Sequence, residues 1–125
     1  MAPYDRASTA LELLRVIAAL PRVEWTRLSM GFEPAVGAMR ARGQHCVRRE
    51  PRQRVLLQRA IGWLDARVPG ETNCYRRVLL EISLDAGAAT EPVVIGLKAK
   101  GGPGSGHVWL PSSVPLSHYD LKLVL

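Results

Sequence analysis

The chain has 125 residues, 47% of them hydrophobic, and a net charge of +6 carried mostly by arginine. That length suits one domain, residues 1–125, with a modest core, and the composition argues against intrinsic disorder. No apolar run is long enough to span a bilayer, and the Met1 region lacks the basic start and apolar core of a secretory signal. Two cysteines in unlike contexts, Cys46 and Cys74, do not make a disulfide framework; both are expected as reduced thiols in the cytoplasm.

The first half of the chain reads as helical. Thr9-Ala10-Leu11-Glu12 has the form of a capping box, in which hydroxyl and carboxylate satisfy each other's backbone donors. Leu11, Leu14, Ile17 and Ala18 then form a helical stripe, and Pro21 is expected to end that helix. Residues 22 to 32 are ambiguous, with Val23, Trp25, Leu28 and Phe32 roughly on one side. Gly31, Pro34 and Gly37 punctuate the next stretch, leaving a short helix from Ala38 to Arg42 that stops at Gly43. The positive surplus falls here and just beyond, in Arg40, Arg42, Arg48, Arg49, Arg52, Arg54 and Arg59. A solvated helix face is the plainest reading of these residues. A docking face for an acidic peptide, a partner protein or nucleic acid is the functional alternative. The lack of interleaved aromatic rings weakens single-strand nucleic-acid binding.

Pro51 suits the first turn of a further helix. Val55, Leu56, Ala60, Trp63 and Leu64 recur at helical spacing, with Arg52, Arg59 and Asp65 on its other faces, and Pro69-Gly70 closes it. Asn73 is a good N-cap for a short apolar helix through Val78, Leu79, Ile82 and Leu84, with Gly87 as its stop. After Gly87 the texture becomes β-branched. Glu91 to Leu97 reads as a buried strand, His107 to Leu110 as a second and Leu121 to Leu125 as a third, joined as a meander. The expected fold class is α+β: N-terminal helices in residues 1–50, then a core in residues 51–125 ending in a small antiparallel sheet.

Three residues in the second half could form a nucleophilic site. A cysteine at a helix start is favoured as thiolate by unpaired amides and the helix dipole, and Arg76 and Arg77 add positive potential. His107, held on a strand, could take the thiol proton, and Asp120 could accept from the other ring nitrogen. The amide of Cys74 and the Asn73 side chain are candidate oxyanion donors. This order, cysteine on helix, histidine on strand, acid on the next strand, is the layout of a papain- or transglutaminase-type site. The plain alternatives are a small buried hydrophobe for Cys74, a turn cap for Asp120 and a surface residue for the nearby His118. The loop Gly101 to Gly106 lacks the Lys-Ser/Thr and following helix of a phosphate loop. His45-Cys46 could join Cys74 or His107 on a metal, but no paired ligand spacing supports it, so neither metal nor cofactor is expected.

The segments Leu64-Asp65-Ala66-Arg67-Val68-Pro69, Asn73-Cys74-Tyr75-Arg76-Arg77-Val78-Leu79, Asp85-Ala86-Gly87, Val94-Ile95-Gly96-Leu97 and Gly106-His107-Val108-Trp109-Leu110 together resemble the leader peptidases of lasso-peptide biosynthesis. These are transglutaminase-like cysteine peptidases, and the resemblance covers Leu57 to Leu125. Tyr75, Gly106, Val108 and Leu110-Pro111 depart from the usual family residues. The resemblance implies removal of a leader from a ribosomally made precursor peptide, with Cys74, His107 and Asp120 as catalytic residues. It also implies two partners: a separate leader-recognition protein, since residues 1–50 lack the strands of a built-in one, and an asparagine-synthetase-like cyclase. Two other functions stay open: a non-catalytic module that docks protein or RNA through its arginines, and acyl transfer to an amine instead of water.

Overall fold

The computed structural model describes residues 3–70, 73–97, 106–112 and 121–125. The first helix, α1, spans Pro3–Ser29 and carries Pro21 inside it, where the sequence predicts a stop. Proline removes a backbone donor and crowds the carbonyl four residues back. Pro21 and Ile17 both lie on the exposed side, so water can take the carbonyl that proline frees. Val16, Val23 and Thr26, on either side of the proline, are buried, and their packing carries the helix through. The predicted stripe is inverted as well. Leu11, Leu14 and Ile17 are 47%, 64% and 47% exposed, while Glu12, Val16, Val23 and Thr26 face inward. Thr9 and Glu12 fall within the helix instead of capping it, and the Glu12 carboxylate pairs with Arg15 and Arg49, each at 2.7 Å.

Helix α2, Phe32–Gly43, is longer than predicted. Pro34 sits in its first turn, where a missing N–H costs nothing. Gly43 ends it against the next layer: a Cβ there would run into the Ile82 carbonyl oxygen and lie 2.9 Å from the Ala89 Cβ. Gly43→Ala is therefore expected to destabilise the fold by about 1–3 kcal/mol, the usual cost of overpacking. A urea-unfolding midpoint unchanged by the substitution would contradict this contact.

Helix α3, Pro51–Asp65, begins at Pro51 as the sequence predicts, with the Glu50 N–H donating to the Gln53 side chain at 3.2 Å. Its inward face differs from the prediction. Val55 and Trp63 are 45% and 44% exposed, and the buried residues are Leu57, Ala60, Ile61 and Asp65. Helix α4, Cys74–Leu84, is the centre of the fold. Val78, Leu79, Leu80 and Ile82 are all buried, and α1, α2, α3, α5 and strand β2 pack around it. Its polar residues Arg76, Glu81 and Ser83 are buried as well, and the two charged ones are paired: Arg76 with Asp65 and Glu24, Glu81 with Arg54. Its end is set by Asp85, not by Gly87. The buried Asp85 carboxylate accepts from Gly87 and Ala88 N–H, at 3.1 and 3.2 Å, and so starts the single-turn helix α5, Ala86–Ala89.

Among the described residues the strands β1 (Val94–Leu97), β2 (Gly106–Trp109) and β3 (Leu121–Val124) form an antiparallel sheet in the order β2-β1-β3. The predicted meander would have put β2 in the middle. Instead β1, which opens with the β-branched Val94 and Ile95, pairs on both edges; these two side chains are partly buried, short of the fully buried strand predicted. Gly96 pairs with His107 on one side and with Lys122 on the other.

Several arginines of the predicted solvated face turn inward. Arg40 donates to the carbonyls of Glu91 and Leu125, at 2.9 and 2.7 Å. Arg54 bonds Glu81 at 2.7 Å and pairs with Glu91. Burial would lower the Arg54 pKa, but these two carboxylates outweigh it and raise it. Arg49 bonds Glu12 and the Leu84 carbonyl. Such pairs leave less of the arginine surplus for a partner than the sequence suggests. No helix among the described residues is long and apolar enough to cross a membrane.

Candidate functional site

Cys74 is the first residue of α4, and the chain around it is built to hold that start in place. Asn73 caps the helix: its side-chain oxygen accepts from the Arg76 N–H at 3.0 Å, and its carbonyl accepts from the Arg77 N–H at 3.1 Å. These two bonds take up N–H groups from the first turn. Those of Cys74 and Tyr75 remain directed out of the helix start. The Asn73 oxygen is committed to the cap, so only its amide nitrogen is left to act as the predicted oxyanion donor.

Below the cap lies Asp65, 1% exposed, at the end of α3. Its carboxylate accepts from the Asn73 N–H at 3.1 Å and from Arg76 at 2.8 Å, and pairs with Arg77 at 3.4 Å. Arg76, itself buried, also pairs with Glu24 of α1. The bond with Glu24 raises the Arg76 pKa against the opposing effect of burial, and Asp65 adds to the rise. Three helices thus meet at one guanidinium, directly behind the cysteine. The sequence places Asp65 on an outer face of its helix. Its one early signal is its position nine residues before a cysteine with two arginines after it.

The sulfur meets the sheet. Cys74 Sγ accepts from the Val108 N–H at 3.4 Å. Val93 and Leu125 exchange both backbone bonds on the β3 side, at 2.7 and 2.8 Å, and alternation along the ladder leaves the Val108 N–H on the outer edge of β2. That edge is where α4 begins. Val108 packs against the core, while His107 and Trp109 share the other face and stack at a ring distance of 5.6 Å. His107 is half-buried. Burial, and then the Arg77 charge, lower its pKa from 6.5. The neutral imidazole is therefore its form at neutral pH.

The structure brings together Cys74, Asn73 and the β2 edge next to His107. Asp120 and His118 lie outside the described residues, as do Gly101 to Ser105 of the glycine-rich loop. Cys46 is far from Cys74. It rests on the Ser83 carbonyl at 3.5 Å, near the other end of α4, roughly 15 Å away along the helix. The two thiols cannot share an ion, and among the described residues no three metal-ligating side chains converge.

Comparisons with protein-family models, with curated proteins and with solved structures found no match to this chain. The chemistry of the site therefore rests on its own geometry. A thiol at a capped helix start accepts a strand N–H, two further amides open outward beside it, and a neutral imidazole is carried by the next residue of that strand.

Proposed function

We propose that this chain is a cysteine peptidase with a transglutaminase- or papain-like core that removes the leader from a ribosomally made precursor peptide. The observation that carries the reading is the Cys74 sulfur on the Val108 N–H. A strand N–H bonds the sulfur at 3.4 Å, and the amides of the helix start open beside it. Cys74 attacks the carbonyl at the leader–core junction, and His107 takes the thiol proton. The tetrahedral oxyanion is met by the free amide of Cys74, with Tyr75 N–H and the Asn73 amide beside it. His107 then returns the proton to the departing amine, and water resolves the thioester. Asp120 is the residue proposed to orient His107. A separate leader-recognition protein and an asparagine-synthetase-like cyclase are the partners that this reading calls for.

Competitive labelling with iodoacetamide at mildly acidic pH tests the activated thiol. Cys74, which accepts a hydrogen bond, is expected to react faster than Cys46, whose thiol faces two carbonyls. Equal, slow labelling of both would overturn the peptidase reading and leave a non-catalytic module. Mass analysis of a cleaved precursor identifies water or an amine as the acceptor.

A further inference from the structure

A basic concavity lies at the end of α4 away from Cys74. It has a volume of about 310 Å3 and adjoins a second one of about 450 Å3, with Arg15, Cys46 and Leu84 shared between them. The floor of the first is aliphatic, from Ala18, Ala19, Val23, Met39 and Leu84, and its rim carries Arg15, Arg22 and Arg42. Glu12 already pairs with Arg15 and with Arg49. Arg22 and Arg42 are exposed and make no ion pair with any described residue. Two uncompensated cations therefore overhang an apolar floor.

One wall of this cleft continues onto the outer ridge of α1. Leu11, Leu14, Ala18, Arg22 and Trp25 follow at steps of three and four residues, so they form one line on the helix. Leu14 and Trp25 are 64% and 68% exposed. Ala18 and Arg22 belong to ridge and cleft alike. Large apolar side chains left in water, beside arginines that make no ion pair among the described residues, form the kind of surface that takes a partner.

We propose that this ridge and cleft dock an acidic, amphipathic segment of another polypeptide. Its carboxylates sit on Arg22 and Arg42, and its apolar side chains cover Leu14, Ala18 and Trp25. Paired recognition of carboxylates is what guanidinium groups do well. The cleft floor is aliphatic and Trp25 is the one ring on the ridge, fewer aromatic platforms than a surface that stacks successive bases carries. The surface is separate from Cys74, so docking here does not depend on the peptidase chemistry.

The test is fluorescence anisotropy with a labelled peptide in which glutamates and leucines recur at helical spacing. Its control has glutamine at every glutamate position. The acidic peptide is expected to bind at least about ten-fold more tightly than the control, and less tightly as salt is raised. The double variant R22E/R42E is expected to lose about ten-fold or more in affinity, and Trp25→Ser to weaken binding as well. R22Q/R42Q, which only removes charge, serves if the reversal variant fails to fold by circular dichroism. Equal affinity for the two peptides would overturn the proposal, as would unchanged binding by the arginine variants. Preferential binding of single-stranded RNA or of anionic phospholipid vesicles would overturn it in favour of those ligands.

Discussion

Cys74→Ala is expected to end precursor cleavage outright, and His107→Ala to slow it by about two to four orders of magnitude. The first removes the attacking atom. The second leaves the thiol in place, still on the Val108 N–H, but without a group to carry its proton. Full cleavage by either variant would sink the mechanism. The pH profile gives a separate check. Burial and Arg77 hold the His107 pKa below 6.5. A base must be unprotonated to act, so cleavage should hold across neutral pH and fall only on acidification, with a midpoint under 6.5. Arg77→Ala removes one of the two causes and should move that midpoint upward; no movement would show that Arg77 does not act on the imidazole. The same shift bears on stability. The unfolded chain takes up the proton more readily than the fold, so the contribution of His107 is present above its unfolded value and declines as pH falls through it.

Asp65→Ala is expected to destabilise the protein by about 3–5 kcal/mol, the cost of leaving a buried charge without its partner. Arg76 would keep Glu24 but lose its innermost acceptor, and the Asn73 N–H would lose its own. Domains of this size have only about 5–15 kcal/mol in total, so the thermal midpoint should drop by many degrees. Asp65→Asn separates two roles. The amide can still accept from Asn73 but cannot balance Arg76 and Arg77. A variant that folds yet labels Cys74 slowly would show that Asp65 positions the cysteine through the cap. Wild-type stability in both variants would contradict the buried ion pair.

Local signals in the chain located Asn73 as a cap, Pro51 as a helix start and β1 from its Val94-Ile95 start, because each depends on the backbone preferences of one or two residues. They located Cys74 and His107 as a pair worth testing because thiol and imidazole chemistry is specific to those side chains. They misjudged Pro21, because the penalty of a proline is local while the burial of Val16 and Val23 that offsets it is tertiary. They misjudged the faces of α1 and α3 for a related reason. Apolar residues recur on more than one side of both helices, and periodicity cannot say which side meets α4. Asp65 reads as a residue on an outer helix face and Glu12 as half of a capping box, since Arg76 and Arg49, which pair with them, come from other elements.

The sequence by itself determined the helix starts at Pro51 and Asn73, the three strand segments after Gly87, and which side chains have the chemistry of a nucleophile and its base. Only the tertiary structure decided that the Cys74 sulfur meets the β2 edge at Val108, that β1 lies central, and that Leu14 and Trp25 stay in water beside Arg22. Those outcomes depend on which surfaces α4, with α1, α2, α3, α5 and β2 around it, takes as neighbours. That choice is made by the packing of the whole chain and by no single stretch of it.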